Sequence, residues 1–117
     1  MITKPAIEPR LPAYFRESLK PTDHFLAVWC KYCGCLHLHG EGEGSRVAPC
    51  LIDTPYKSTG YYLVSTGKEL PADALALHQK GYRMCWVRYL LERRADIKGL
   101  VLPQYTPVPV PEWGREL

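Results

Sequence analysis

No stretch of the sequence reaches about 18 consecutive apolar residues, so no part of it reads as a membrane-spanning helix. Its first residues, MITKPAIEPRLPAYF, lack the continuous apolar segment of a secretory signal, and a cytoplasmic location is the default expectation. Neither sign of charge dominates: 15 Lys and Arg against 12 Asp and Glu give a formal net charge of +3, too little to name a partner. Internal repeats are absent. The Gly-x-Gly-x-Gly run at 40–44 has neither the strand–helix context nor the lysine of a phosphate-binding loop. No local pattern ties a cysteine to His24 or His78 in the manner of a nucleophile and its base. With 117 residues and 46% apolar content, the chain is long enough for one globular domain with a modest core.

What the sequence does have is a concentration of soft metal donors. The run from Trp29 to Cys50, WCKYCGCLHLHGEGEGSRVAPC, holds four of the five cysteines and two of the four histidines. Cys30 and Cys33 form a C-x-x-C pair with Gly34 directly after it, a spacing that puts both sulfurs on one side of a tight turn. In a reducing compartment such a cluster points to metal rather than disulfides, and the odd cysteine count agrees. The candidate ligands are Cys30, Cys33, His37, His39 and Cys50, and the expected cofactor is one structural Zn2+. Three thiolates and one imidazole fill a tetrahedron and leave no open position for water, so a non-enzymatic role is expected. At about 3.3 Å per extended residue His37 reaches back to the turn more easily than His39, which remains a substitute ligand or an outer partner. Cys35 shares the strand face of both histidines but lies too close to Cys33 to ligate independently.

Three competing readings of the same residues are weaker. Buried thiols without metal would need no such spacing. A redox C-x-x-C usually opens a helix, whereas the flanks here read as strands. His39, Glu41, Pro49 and Cys50 imitate the H-x-E…P-C-x-x-C signature of zinc deaminases, but Asp53 stands where the second cysteine belongs and the intervening loop is too short.

The pattern along the chain predicts a small α+β domain: an antiparallel sheet with a zinc knuckle, packed against one main helix, with extended Pro-rich termini. Residues 1–23, with Pro5, Pro9, Pro12 and Pro21, read as an N-terminal arm that packs, with room for one helical turn around Ala13–Leu19. Residues 24–102 are the zinc-stabilised domain, with strands expected at 24–29, 35–39, 46–53, 61–65 and 100–102. A helix is expected within 71–95, and Gly81 can divide it into two pieces at a cost of about 1 kcal/mol relative to alanine. From Tyr82 to Leu91 only Arg83 and Arg88 are strongly polar, which predicts a core helix buried on most sides. Residues 103–117 are a Pro-rich tail with Trp113 as an anchor.

Two classes of partner fit the remaining features. At 100° per residue Lys80, Arg83, Arg94 and Lys98 fall within about 60° of one another, a basic stripe suited to nucleic acid. Val87 and Leu91 share that sector, and basic residues late in a helix also complement its dipole. Tyr56, Tyr61 and Tyr62 near Lys57 could stack on bases, although strand tyrosines more often pack. The alternative is a protein-interaction module that presents Tyr105, Trp113 and the P-V-P-V-P run to another protein.

The run W-C-x-x-C-G-x-x-H-x-H-G-x-G-x-G-x-R-V-A-x-C, followed by P-Y-x-x-x-G-Y-x-L at Pro55–Leu63, resembles a group of small uncharacterised zinc-finger-like proteins of actinobacteria and their bacteriophages. In that group a histidine commonly precedes the last cysteine and another precedes the arginine; here Pro49 and Ser45 occupy those places, which puts more weight on His37, His39 and Cys50. The resemblance implies metal binding and, for the interaction reading, a phage-type modulator of a host protein. It carries no reaction or substrate.

Overall fold

The computed structural model describes residues 8–17 and 24–117. Pro5, Leu19 and Pro21 of the predicted arm therefore lie outside the described residues. The elements are strands β1 (Arg10–Glu17), β2 (His24–Cys30), β3 (Cys35–Gly40), β4 (Gly44–Arg46) and β5 (Tyr61–Glu69), with a short helix α1 (Pro55–Thr59) and a long helix α2 (Ala74–Lys98). The five strands form one sheet in the order β3-β2-β1-β5-β4. The fold class is small α+β, as the pattern predicts.

The sheet is mixed rather than antiparallel throughout, and the reason is the supposed arm. Residues 10–17 form the middle strand, antiparallel to β2 and parallel to β5. Proline is tolerated there because the β2 ladder begins only at Tyr14, so Pro12 sits where β1 pairs with β5 alone. Leu11 and Ala13 then point into the core and are almost fully buried. No helical turn forms over the described part of 13–19.

β2 explains its own sequence. Leu26, Val28 and Cys30 belong to one buried cluster, while Ala27 and Trp29 belong to a second cluster on the opposite face. A strand covered on both faces needs apolar residues at successive positions, which is what F-L-A-V-W supplies. The second face is covered by the C-terminal tail. The Trp113 ring stands edge-on to Trp29 (centroids 5.8 Å apart) and to Tyr14 (5.7 Å), and the Tyr14 hydroxyl donates to the Trp113 carbonyl at 2.6 Å. Val108 is buried, Lys31 and Glu116 pair at 2.9 Å, and the Leu117 amide donates to the Arg10 carbonyl. The tail is therefore a strap across the domain, and its aromatic residues are engaged within the chain.

Other expectations need correction. Only the start of 46–53 is strand, since β4 ends at Arg46 and Cys50 lies in the loop that follows. Leu100–Leu102 is irregular, and 55–59 is a helical turn. Helix α2 runs unbroken through Gly81. That glycine serves a close approach: a Cβ built on it would stand 1.6 Å from the Gly34 carbonyl oxygen.

The helix is also not buried on most sides. Its contact with the sheet is on β3, where Ala74, Gly81 and Cys85 recur on one buried helical face beside the half-buried Leu77 and His78. The large apolar residues stay outside, with Val87 53%, Leu90 57% and Leu91 44% exposed. A run that is apolar all round does not have to be covered all round, because a narrow seam suffices to dock it.

This contact yields a prediction. Gly81→Ala should destabilise the domain by about 1–3 kcal/mol or more through overpacking, although alanine favours a helix by about 1 kcal/mol. Urea unfolding of the two proteins measures the difference, and a stabilised variant would contradict the close approach.

Candidate metal centre

β2 delivers Cys30 to the end of the sheet, and the chain turns through Lys31–Gly34 into β3. Gly34 closes the turn with a left-handed φ of 72°, and its amide donates to the Cys30 carbonyl at 2.8 Å. The Cys33 amide faces the Cys30 sulfur at 3.4 Å, the N–H···S contact that a knuckle gives its first thiolate. In the β2–β3 register Cys35 opposes Cys30 and His37 opposes Val28. His37 thus projects from the same sheet face as Cys30. Cys50 arrives from the loop before α1, where the Thr54 hydroxyl donates to its sulfur at 3.1 Å.

The ligand atoms of Cys30, Cys33, His37 and Cys50 all lie within 4.8 Å of one another, and all four residues are buried. The Cys30 and Cys50 sulfurs are 3.9 Å apart, and all five cysteines are free thiols. A tetrahedral site with metal–sulfur bonds of about 2.3 Å has an edge of about 3.8 Å, so the spacing fits an ion at the centre. Three thiols this close cannot all ionise unaided. Contact with Cys30 and then Cys33 holds the Cys50 thiol down at about 2, whereas hydrogen bonding from its neighbours, Cys30 first, pushes the Cys33 thiol far above its ordinary value. A divalent cation among them would compensate all three charges together. The donor set can hold a metal ion.

Of the two candidate histidines, His37 joins the cluster and His39 stands behind it. The His37 Nδ1 lies 3.0 Å from the Tyr61 hydroxyl, which is in turn 2.5 Å from the His39 Nε2. Burial, then the charges of His37 and Arg46, lower the His39 pKa to about 4, so His39 is neutral. The Tyr61 hydroxyl thus bridges the two imidazole rings. With Nδ1 so engaged, Nε2 is the nitrogen of His37 left for a metal. Tyr61 is fully buried, and its place behind the ligand carries no signal in the sequence, where it reads only as a strand tyrosine. Thr54 and Tyr105 are likewise invisible there; the Tyr105 hydroxyl donates to the Cys33 carbonyl at 2.9 Å and ties the tail to the knuckle.

Cys35 and Cys85 are buried in the same cluster of residues but stand outside the four-donor group. His78 is occupied by structure, its Nδ1 accepting the Leu36 amide at 3.0 Å. Tyr56 and Tyr61 are 2% and 0% exposed and cannot stack on bases, and Tyr62 lies under the Arg10 guanidinium at 5.4 Å. Lys80, Arg83, Arg94 and Lys98 are all exposed on the side of α2 away from the centre. Among the described residues the ion pairs are Lys31–Glu116 and Arg88–Glu92, and none of the four takes part in them. No protein-family model, curated protein or solved structure matches the chain.

Tyr61→Phe removes the link between the two histidines and should lower metal affinity by about 10–100-fold, with one equivalent still bound at saturation. Competition with a chromophoric chelator reads this out. Cys35→Ser and Cys85→Ser should both keep one equivalent, and loss of the metal from either would redraw the ligand set.

Proposed function

We propose that the chain is a non-enzymatic binding module, held together by one structural zinc ion, that docks a protein partner on the outer face of α2. Zinc is the metal that a Cys3His tetrahedron suits best, and a site closed by four protein ligands offers no position for substrate or activated water. The resemblance to small zinc-finger-like proteins of actinobacteria and their bacteriophages agrees with metal binding. A reducing cytoplasm, where the thiols stay available to metal, is the compartment this reading requires. Among the described residues no helix is long and apolar enough to cross a membrane.

The observation that carries the docking role is the exposure of Tyr82, Met84, Trp86, Val87, Leu90 and Leu91 in the middle of a single helix. Aromatic residues, Met and Arg at the centre of an exposed apolar patch are the composition of protein interfaces. The tail residues Tyr105 and Trp113, the other candidate surface, pack internally. Nucleic-acid binding by Lys80, Arg83, Arg94 and Lys98 is the second reading, favoured by their exposure and lack of ion pairs among the described residues. Against it, apolar side chains interrupt the stripe where phosphates would lie.

Capture of partners from the source-cell extract, with and without nuclease, separates the two. The docked partner should survive nuclease and a rise in salt from about 0.1 to about 0.5 M, and should be lost with Val87→Asp/Leu90→Asp. Capture abolished by nuclease and steeply weakened by salt would transfer the role to nucleic acid.

A further inference from the structure

Helix α2 has 25 residues and is about 37 Å long, and its outermost line follows a regular pattern. Lys80, Arg83, Val87, Leu90, Arg94 and Ile97 recur at alternating steps of three and four, the spacing of a coiled-coil seam. All six are exposed, with Ile97 at 85%. At 100° per residue this line lies opposite Ala74, Gly81 and Cys85, the face that holds the helix to β3. A groove of about 490 Å³ between Met84, Leu91 and Tyr105 runs along one side of Val87, and one of about 590 Å³ between Tyr82, Trp86 and Leu90 runs along the other. The seam is thus apolar at its middle and cationic on either side of it. The carboxylates of α2 lie off the seam, with Glu92 paired to Arg88 at 2.9 Å and Asp96 on the opposite side of the helix.

We propose that this seam receives one amphipathic helix of a partner protein, with apolar residues on Val87 and Leu90 and carboxylates opposite Arg83 and Arg94. The inference rests on the reading of α2 as a protein-docking face and adds the chemistry of the occupant. Charge selects that occupant. A second copy of α2 is disfavoured in both orientations: antiparallel pairing centred between Val87 and Leu90 sets Arg83 against Arg94, and parallel pairing sets each arginine against itself. A bilayer is a poor match because Arg83 and Arg94 lie on the same line of the helix as Val87 and Leu90, whereas an interfacial helix keeps its cations on the polar side. Duplex phosphates would meet Val87 and Leu90 at the midpoint of the stripe. A helix bearing Glu or Asp at the matching seam positions satisfies both arginines while it buries the apolar centre.

The probe is a synthetic three-heptad helical peptide with Leu facing Val87 and Leu90 and Glu facing Arg83 and Arg94. Its control carries Lys in place of those Glu residues. Both are titrated into the full metal-loaded chain by fluorescence anisotropy. The Glu peptide should bind at least about tenfold more tightly than the Lys peptide, and Arg83→Glu/Arg94→Glu should reverse the preference. The substitutions are at exposed positions, and an unchanged circular dichroism spectrum confirms that the variant is folded. Equal binding of the peptides, no binding of either, or a preference that the double variant does not reverse overturns the acidic-helix assignment. So does a stable dimer of the chain alone in sedimentation, or binding to phosphatidylglycerol vesicles or duplex DNA that the double variant abolishes while neither peptide binds. If both peptides fail yet Val87→Asp/Leu90→Asp still loses a protein captured from extract, the occupant's chemistry is wrong and the docking face stands. If that variant loses nothing, both fall.

Discussion

Four buried donors converge at the point where β2 turns into β3, and the rest of the domain is arranged around that convergence. Cys30, Cys33 and His37 come from one hairpin, and Cys50 comes from a loop with no ladder of its own to fix it. The turn then serves as the floor for two more elements. Gly34 offers its carbonyl to Gly81 of α2 at a distance that no larger residue permits, and the Cys33 carbonyl takes the Tyr105 hydroxyl of the tail. A fault at the knuckle would reach the helix and the strap at once. Structural zinc contributes about 10–16 kcal/mol in finger peptides, comparable to the whole net stability of an ordinary domain. An ion held by these four donors would add directly to the folding free energy of a chain of this size.

The same geometry explains why α2 is exposed. The turn gives the helix a small, closely fitted seat beside β3, where Gly81 meets Gly34 between Ala74 and Cys85. A side chain at position 81 would hold the helix away from Gly34. Trp86, Val87 and Leu90 lie elsewhere on the helix, where they meet solvent beside arginines. Close docking at one glycine and an apolar outer face are therefore two sides of one arrangement, which links the four-donor cluster to the exposed face of α2.

How far the sequence discloses this differs from residue to residue. The C-x-x-C-G turn, the strands on either side and the preference for His37 over His39 follow from spacing alone, because ligand reach and strand rise are local quantities. The place of β1 does not. Its proline argues against a central strand, and only the offset between the β2 and β5 ladders lets Pro12 sit there. The burial of α2 was likewise unreadable, since periodicity says which residues are apolar and not how many neighbours are present to cover them. Gly81 has its reason in a non-local neighbour, Gly34, which no local pattern discloses. Tyr61, which joins His37 to His39, comes from a strand at the far side of the sheet order and no short-range pattern leads to it.

A single metal ion bound by Cys30, Cys33, His37 and Cys50 is proposed to hold the fold together. Thermal unfolding of protein purified without chelators, with its zinc content determined on the same sample, tests this directly. About one equivalent of zinc per chain is expected, with a sharp fall in Tm on chelation that is restored when zinc is returned. A protein that carries less than about half an equivalent and melts at the same temperature with and without chelator would contradict it.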